Sequence, residues 1–440
     1  MPNTLAAWLS YIENLHPKSI AMGLERVKHV MDCLDFVSKF PIITVAGTNG
    51  KGSTCAMLAE IYKQAGYQVG CYTSPHLLRY NERVRVNGHE ASDADLCSAF
   101  TAVEQARLKT KFGADNAPVQ LTYFEVGTIA AMWHFMQTGI DIAIMEIGLG
   151  GRLDAVNAFE PSCAIVTNVD LDHQEFLGNT RESIGFEKAG VYRKSVPAIC
   201  GDANPPASLM QHAKNIQADL KCIQRDFNYV VTGESWQYKL RDQVLYSLPL
   251  PNLKGNYQLS NAACAVSAVA ALQSQLPVSH VAIASAMREV SVAGRFQTVM
   301  QSNSFSVILD VAHNPHAACA LAENLKSSKK QTGQTLAVFA MLADKDINGV
   351  VAALKDEINF WYIASIDHVR GASAVELAKI IEKIAPKASY KTFDNAVDAY
   401  QQAAHDIEAC IDGSENDKIV VFGSFFTVSS VMQLLSDSLN

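Results

Sequence analysis

A glycine-rich loop between a buried strand and a helix is the feature that most limits how this 440-residue chain can fold. Residues 42–46 (IITVA) form an apolar run typical of a buried strand, and residues 55–62 (CAMLAEIY) have the apolar spacing of a helix. Between them, residues 47–54 read GTNGKGST. In such a unit, glycines let backbone N–H groups turn towards a phosphate, while the helix N-terminus and a lysine supply positive charge. This phosphate loop, residues 47–54, therefore predicts binding of ATP or another nucleoside triphosphate.

The phosphate loop departs from the general nucleotide-binding pattern at two positions. The pattern has glycine where Val45 stands, and Ser or Thr directly after the lysine, where Gly52 stands. An ordinary glycine-rich turn is the alternative interpretation, but the strand–loop–helix context favours a phosphate site.

Composition narrows the classes of function. The formal net charge of -8, without any dense block of Lys and Arg, argues against binding to nucleic acid through its phosphates. We find no apolar run long enough to span a bilayer and no signal peptide. The ten cysteines are scattered, without a Cys-x-x-Cys pair, as is typical of core thiols in reducing cytosol. We expect a cytoplasmic enzyme, a monomer by default, whose partners are small molecules and include no nucleic acid or membrane.

The order of apolar segments predicts an α/β protein of two domains. Strands alternate with helices in both halves, which indicates parallel sheets covered on both faces. Residues 225–250 interrupt the first half with a short antiparallel β patch, and the pattern restarts near residue 293. We therefore expect a P-loop-type ATPase domain over 1–293, with helices flanking a parallel sheet and a small β patch, and a Rossmann-like α/β domain over 294–440.

Polar side chains follow the predicted strands of the first domain, where ligands bind to parallel sheets. Glu146 closes one strand before a glycine-rich segment, and its carboxylate is suited to Mg²⁺. His173 directly follows a strand-end Asp-Leu-Asp, residues 170–172, where it binds a metal or hydrogen-bonds Asp170 or Asp172 within a turn. Lys188 follows Ile184 by one helical turn, and its spacing alone favours a surface or salt-bridging lysine.

The second domain has a similar strand end at residues 310–316 (DVAHNPH). Asp310 and His313 are candidates for substrate, ribose or phosphate contacts, and the alternative is an Asn-Pro turn with a capping aspartate. We favour a functional role because two further strands also end in small polar residues, at 342–346 and at 423–425.

Taken together, these motifs resemble the Mur ligase superfamily, and within it the ligases that act on folates. The resemblance covers nearly the whole chain and includes the phosphate loop, whose two departures are the family's own form. The other matching segments are residues 23–27, 74–77, 81–86, 121–125, 146–157, 171–173, 181–190, 294–296, 310–316 and 423–425.

The resemblance implies an ATP-dependent ligation of a carboxylate to an amine. The carboxylate attacks the γ-phosphate, giving an acyl phosphate and ADP, and the amine of L-glutamate then attacks the acyl carbon. The expected acceptors are dihydropteroate and reduced folates, and the alternative is an enzyme that only extends the polyglutamate chain of folates. A nucleotide-binding regulatory protein without ligase chemistry is a third reading, which the intact Lys51, Glu146, His173 and Lys188 disfavour.

The resemblance also assigns roles to residues. Mg²⁺, expected as two ions, would have Ser74, Glu146, His173 and a carbamylated Lys188 as ligands, and K⁺ is a further candidate ion. The implied catalytic residues are Lys51, Lys188, Asp310 and His313, and the implied glutamate contacts are His313 and Ser424. ATP contacts are assigned to Gly47, Asn49, Gly50, Lys51, Gly52, Ser53, Asn261, Arg295 and Asp310.

The pterin-carrying substrate is expected along three further segments. Phe124 can stack on a flat ring, with core packing as the alternative, and Glu125 or Asp154 can accept hydrogen bonds from ring amino groups. The implied pterin contacts are Ala21, Met22, Gly23, Thr122, Tyr123, Phe124, Glu125, Leu153, Asp154 and Ala155.

Overall fold

The computed structural model describes residues 1–34, 36, 38–112, 117–301, 305–328, 333–409 and 416–437. The chain divides into two compact units. Unit 1 comprises Met1–Asn252 and Gln258–Val290, and unit 2 comprises Leu253–Tyr257 and Ser291–Asn440. None of the helices in these described ranges has the length and apolar character needed to cross a membrane.

Unit 1 is built on an eight-stranded sheet whose order is β10-β9-β8-β1-β7-β2-β3-β4. The first six strands in that order run parallel, and β3 and β4 continue the sheet antiparallel. The central strands β1 and β7 are buried at every position, which explains their continuous apolar sequences. The strands are β1 Ile42–Ala46, β2 Val69–Tyr72, β3 Val84–Val86, β4 His89–Glu90, β5 Lys111–Phe112, β6 Ala117–Pro118, β7 Ile142–Glu146, β8 Cys163–Val166, β9 Pro197–Cys200 and β10 Asp219–Cys222.

Helices cover this sheet and begin at capping residues that the sequence supplies. Thr122 caps α5 in a reciprocal capping box with Glu125, and Thr180 caps α7 through the Ser183 backbone N–H. The helices are α1 Leu5–Glu13, α2 Glu25–Asp32, α3 Lys51–Gln64, α4 Asp93–Lys109, α5 Tyr123–Thr138, α6 Gln174–Leu177, α7 Arg181–Ala189, α8 Ala207–Asn215, α9 Asn256–Ala271 and α10 His280–Glu289.

Two small antiparallel sheets complete unit 1. The strands β11 Phe227–Thr232, β12 Ser235–Leu240 and β13 Gln243–Pro249 form a meander, which confirms the β patch predicted over residues 225–250. The strands β5 and β6 form a separate pair.

Unit 2 is a six-stranded sheet in the order β14-β15-β19-β16-β17-β18, parallel except for the antiparallel edge strand β14. Its own apolar core packs between this sheet and the helices. This confirms the predicted second α/β fold. The elements are β14 Gln297–Gln301, β15 Phe305–Asp310, α11 Pro315–Ser327, β16 Thr335–Phe339, α12 Ile347–Leu354, β17 Phe360–Ala364, α13 Ala374–Ile384, β18 Ser389–Phe393, α14 Ala396–Glu408, β19 Asp417–Phe422 and α15 Phe425–Asp437.

The sequence analysis missed the edge strands β10 and β18. The residues of β10 read DLKC and those of β18 read SYKTF, and most of their side chains are exposed or half-buried. An edge strand with polar faces lacks the apolar run by which the central strands were recognised.

Candidate functional site

Three loops of unit 1 leave the sheet at the same edge. Parallel pairing places Val45 beside Glu146 and Ala46 beside Val166, so the segments after β1, β7 and β8 start at one level. The phosphate loop, Glu146 and the segment leading to His173 therefore converge, as expected at the carboxyl ends of parallel strands.

The backbone of the phosphate loop has a shape that only glycine allows at two positions. Gly47 has φ 147° and Gly50 has φ 83°, and α3 begins directly after Gly50. A Cβ on Gly47 would lie 1.8 Å from Thr167 Oγ1, and a Cβ on Gly50 would lie 2.4 Å from Asn261 Oδ1. Both glycines are therefore required by conformation and by close packing.

The Lys51 side chain folds back over the phosphate loop. Its Nζ donates hydrogen bonds to the carbonyl oxygens of Gly47 and Thr48, at 3.1 and 3.2 Å. This holds a full positive charge beside the backbone N–H groups at the start of α3, the arrangement that suits a polyphosphate.

Helix α9 contributes polar side chains to the other side of the phosphate loop. Asn261 Nδ2 donates to Gln258 Oε1 at 2.9 Å, and Gln258 Nε2 donates to Ser53 Oγ at 3.3 Å. Both α9 side chains are buried. The sequence analysis assigned Asn261 to ATP but missed Gln258, whose only signal was its position one helical turn before Asn261.

The strap, residues 168–170 after β8, braces the phosphate loop from outside. Asn168 accepts the Asn49 backbone N–H through Oδ1 at 3.0 Å, and its carbonyl accepts the Thr48 N–H at 3.0 Å. Asp170 completes the contact, because its N–H donates to Thr48 Oγ1 at 2.9 Å and its carbonyl accepts from that hydroxyl at 3.1 Å. From the sequence, Asp170 was expected only as a hydrogen-bond partner of His173, and Asn168 and Val169 had no predicted role.

Glu146 and Ser74 lie together, as the resemblance implied. The buried carboxylate of Glu146 accepts the Ser74 backbone N–H through Oε2 at 3.1 Å. A Cβ on Gly52 would lie 3.7 Å from the same oxygen, so the carboxylate faces the first turn of α3.

His173 begins α6 with a left-handed backbone, φ 49°. Its Nε2 lies 3.9 Å from Asp172 Oδ2, which is too long for a hydrogen bond, while Asp172 Oδ1 accepts the His173 backbone N–H at 2.8 Å. The His173 side chain is 37% exposed, and its role as a ligand stays a prediction.

Lys188 is buried, so the surface position that spacing alone favoured is wrong. The C-terminal turn of α7 packs on the glycine-rich segment, where the Arg152 N–H donates to the Glu187 carbonyl at 2.8 Å. Burial, and then the charge of Lys51, lower the pKa of the Lys188 ammonium to about 7, against the opposing effect of Asp172 and Asp154. A large neutral fraction at neutral pH makes this amine able to react with CO₂.

Asp154 is a buried carboxylate beside this lysine. Its oxygens accept the backbone N–H groups of Leu149 at 2.9 Å and Val156 at 3.0 Å. Burial raises the pKa of Asp154 to about 7, against the opposing effect of those N–H groups and of Lys51.

The carboxylate of Glu125 is engaged within the protein. It accepts Arg26 Nη2 at 2.7 Å and the Thr122 backbone N–H at 2.7 Å. Arg26 also donates to the Ala21 carbonyl at 2.7 Å, so Glu125 fixes the segment that carries Ala21, Met22 and Gly23. Its direct contact with a pterin stays a prediction, but its structural role is clear.

The other predicted pterin residues lie near one another. Phe124 is half-buried, with its ring 6.0 Å from that of Tyr72, and a Cβ on Gly148 would lie 2.6 Å from its Cζ. The Gly23 N–H donates to the Leu153 carbonyl at 3.2 Å, which joins the first and third predicted segments.

Unit 2 has its own cluster at the carboxyl edge of its sheet. Asp310 is buried, and its two oxygens accept the backbone N–H groups of Phe296 and Ala312, both at 2.8 Å. Burial raises the pKa of Asp310, and the charge of Arg295 opposes that shift. The Arg295 guanidinium lies 5.8 Å from the centre of the Phe425 ring, a residue without a role in the sequence analysis.

His313 and Ser424 lie on either side of Phe425 in this cluster. The His313 ring is 6.1 Å from the Phe425 ring, and its Nδ1 lies 2.8 Å from the Val311 carbonyl. That carbonyl can only accept, so Nδ1 carries a proton and Nε2 is the acceptor in the neutral ring. Ser424 Oγ accepts the Thr427 N–H at 3.0 Å and lies 2.7 Å from the Thr427 hydroxyl.

The donor set of unit 1 fits a magnesium ion that is bound mainly through substrate. Among the described residues, no group of three or more His, Cys, Asp and Glu side chains is arranged to hold a metal. One buried carboxylate with a serine beside a phosphate loop is instead the pattern expected when phosphate oxygens and water complete the coordination of Mg²⁺.

Comparison with known proteins identifies the family. Residues 45–269 match the Mur ligase middle domain, and residues 294–425 match the Mur ligase glutamate ligase domain. The chain belongs to the Mur ligase family. The resemblance found in the motifs is therefore confirmed.

Relatives within the Mur ligase family match the whole chain. The dihydrofolate synthase/folylpolyglutamate synthase of Escherichia coli is 43% identical over 432 residues, covering 98% of this chain and 95% of the relative. That of Haemophilus influenzae is 36% identical and covers 97% and 96%.

Solved structures are also similar along their full length. The E. coli FolC complex with DHPP and ADP has a TM-score of 0.90 and 42% identity, with 100% of both chains covered. A bifunctional folylpolyglutamate synthase/dihydrofolate synthase with Mn, AMPPNP and L-glutamate bound has a TM-score of 0.87 and 40% identity, covering 99% and 98%.

Proposed function

We propose that this protein is an ATP-dependent, ADP-forming ligase with two activities in folate biosynthesis. It joins L-glutamate to dihydropteroate, giving dihydrofolate, and it adds L-glutamate to the γ-carboxyl of reduced folates, giving folylpolyglutamates. The observation that carries the proposal is the full-length match to bifunctional relatives, at 43% identity over 98% of the chain.

The first chemical step is transfer of the γ-phosphoryl group of ATP to the acceptor carboxylate. A carboxylate oxygen attacks the γ-phosphorus, the bond to the β-phosphate oxygen breaks, and ADP leaves. The N–H groups of residues 50–53 and the Lys51 ammonium hold the triphosphate and offset its charge. Glu146, Ser74 and His173 would hold Mg²⁺, which would supply further neutralisation of the phosphate charge.

The second step is attack of the glutamate amine on the acyl phosphate. The C–N bond forms through a tetrahedral intermediate, phosphate leaves, and the amine gives up a proton. His313 Nε2 is the acceptor that we assign to this proton, since Nδ1 is held by the Val311 carbonyl. Asp310 and Ser424 are proposed to complete the site for glutamate and the acyl phosphate, and Asn261, Arg295 and Asp310 to contact ATP.

Lys188 is proposed to act as a carbamate. Its burial and lowered pKa, about 7, supply the neutral amine that must attack CO₂. The product is an anionic oxygen donor, suited to a second Mg²⁺. K⁺ is retained as a further candidate ion.

The pterin is proposed to lie against Phe124, between the segments 21–23 and 153–155. In this arrangement Glu125 or Asp154 is the hydrogen-bonding carboxyl, and each of them also accepts hydrogen bonds within the protein. Residues 1–293 would then carry the ATP and pterin sites and residues 294–440 the glutamate-ligase site. We further propose that the enzyme acts as a cytoplasmic monomer, and the nine free thiols among the described cysteines agree with a reducing compartment.

The proposal is tested by product analysis. Purified protein is incubated with Mg²⁺-ATP and L-glutamate, first with dihydropteroate and then with tetrahydrofolate, and products are identified by mass. We expect one added glutamyl residue on each acceptor and one ADP for each bond. Product with tetrahydrofolate alone would leave an enzyme that only extends folates, and the absence of product with both acceptors would refute the ligase assignment.

A further inference from the structure

A clamp made by two charged side chains holds the strap at Val169. The clamp consists of Arg181, the first residue of α7, and Asp202, which follows β9. Arg181 Nη2 lies 2.9 Å from Asp202 Oδ2. Neither residue contacts the phosphate loop in the hydrogen bonds described here, so their effect on it passes through the strap.

The clamp fixes both backbone polar groups of Val169, which belong to the two successive peptide units that join Val169 to Asn168 and to Asp170. The Val169 N–H donates to Asp202 Oδ2 at 2.8 Å, and the Val169 carbonyl accepts Arg181 Nε at 2.9 Å. The Asp202 carboxylate accepts a further hydrogen bond, from the Asn204 N–H to Oδ1 at 2.8 Å. Three donors therefore converge on a buried carboxylate whose side chain is only 9% exposed.

Val169 lies between the two strap residues that bind the phosphate loop. Asn168 holds the N–H groups of Thr48 and Asn49, and Asp170 holds the Thr48 hydroxyl. Each of the two peptide units that flank Val169 is therefore held by one charged side chain of the clamp, and neither unit can rotate without breaking a hydrogen bond to a charged group, which is the stronger kind. The position of the strap, and with it that of Thr48 and Asn49, thus depends on the clamp.

We propose that Asp202 and Arg181 are positioning residues that preorganise the phosphate loop for a nucleoside di- or triphosphate. A loop that is already in its binding shape avoids the loss of entropy on ordering, so the clamp should act on nucleotide affinity. The identity of ATP as the bound nucleotide follows from the proposed function, but the clamp can be tested through ADP binding alone.

The test uses one variant on each side of the clamp, with matched controls. Asp202→Asn keeps the shape but replaces an acceptor oxygen by an NH₂ group, which must face at least one of the three donors. Arg181→Met keeps most of the side-chain length and removes every donor. The controls are Glu160→Gln and Arg225→Met, which break ion pairs of the same unit at 2.8 and 2.6 Å. The replaced side chains are 76% and 52% exposed, against 9% for Asp202 and 37% for Arg181.

ADP affinity is measured by calorimetry, and KM values are measured for ATP and for L-glutamate. We expect each clamp variant to weaken ADP binding by about tenfold and to raise KM for ATP similarly, with KM for glutamate changed less than about twofold. The double variant should lose no more than the worse single one, because the two residues act as a unit. The controls should stay within about twofold of the unaltered protein.

Two results would overturn the inference. One is ADP affinity within about twofold of the unaltered protein in folded clamp variants, and the other is an equal rise of both KM values, which would indicate general loosening. If Asp202→Asn does not fold, Arg181→Met decides, since its side chain is 37% exposed. An unaltered protein that binds ADP but forms no glutamylated product refutes the proposed function while the ADP affinities still decide the clamp.

Discussion

Replacing Gly50 by alanine tests whether the phosphate loop is shaped by tertiary packing as well as by glycine freedom. Gly50 has φ 83°, a left-handed conformation that costs a residue with a Cβ about 1 kcal/mol. In addition, the new Cβ would lie 2.4 Å from Asn261 Oδ1. Because ordinary contacts between such atoms exceed 3.4 Å, the Asn261 side chain has to move by about an ångström, a distance that core packing resists.

The displacement has a second consequence. Asn261 is buried and donates to Gln258, which in turn donates to Ser53, so moving the amide strains this chain of hydrogen bonds. Loss of one buried hydrogen bond adds about 1 kcal/mol to the strain. We therefore expect Gly50→Ala to lower the free energy of unfolding by about 2–3 kcal/mol and to weaken ADP binding by tenfold or more, roughly 1.4 kcal/mol.

Gly66→Ala is the matched control, because Gly66 has φ 91° just beyond the other end of α3 and an added Cβ meets nothing within 4 Å. Gly66→Ala should lower the free energy of unfolding by the conformational strain alone, about 1 kcal/mol, and should leave ADP affinity unchanged. Urea unfolding and calorimetry with ADP measure both quantities.

A double variant separates the clash from the strain. In Gly50→Ala/Asn261→Ala the crowded amide is gone, so the double variant should be less destabilised than the sum of the two single variants. The reasoning is wrong if Gly50→Ala matches Gly66→Ala in both unfolding and ADP affinity, or if the two changes simply add.

Three further predictions address other parts of the site. Lys188→Ala should lose most ligase activity and regain part of it when a short carboxylate such as acetate is added; unchanged activity would refute a role as oxygen donor. Ser424→Ala should raise KM for glutamate several-fold, since it removes the hydroxyl that accepts the Thr427 N–H. The control is Ser430→Ala, whose lost hydroxyl donates to the Phe426 carbonyl, and it should leave this KM unchanged. Equal KM values in the two variants would exclude a role of Ser424 in glutamate binding. Burial, with help from Arg83, lowers the pKa of His76 to about 4, so the unfolded chain takes up a proton between the ordinary value of 6.5 and about 4 that the folded chain does not. The free energy of unfolding should therefore decrease as pH falls through that window. Urea unfolding at pH 7 and at pH 5 measures this decrease. It should be smaller in His76→Gln than in the unaltered protein or in His89→Gln, which changes an exposed histidine.

The sequence predicted the fold from its buried strands. The apolar runs of β1, β7 and β8 have no periodicity because both faces of the sheet are covered, and glycines or polar residues follow each of them. The edge strands β10 and β18 escaped this reasoning, since their exposed faces carry polar residues. The short strand β9 was also missed although three of its four residues are buried, so burial helps recognition only when the apolar run is long enough.

The candidate site was predictable only in part. The phosphate loop and Glu146 are readable because their neighbours in sequence are also their neighbours in space. Gln258 was missed, because it reaches Ser53 across 205 positions of sequence. The interpretation of Lys188 as a surface lysine failed for a similar reason, because residues distant in sequence, among them 151–152, pack against the end of α7.

The sequence by itself determined that a polyphosphate is bound and that a carboxylate stands beside it. A loop that follows a buried strand, and a glutamate that ends one, are fixed by local rules of strand and helix formation. Only the tertiary structure decided which charges are desolvated and what braces the loop. Three features depend on side chains distant in sequence: the lowered pKa of Lys188, the ion pair of Glu125 with Arg26, and the ion pair of Arg181 with Asp202. Electrostatic strength and preorganisation follow from burial and from packing partners, and neither is encoded within one segment of the chain.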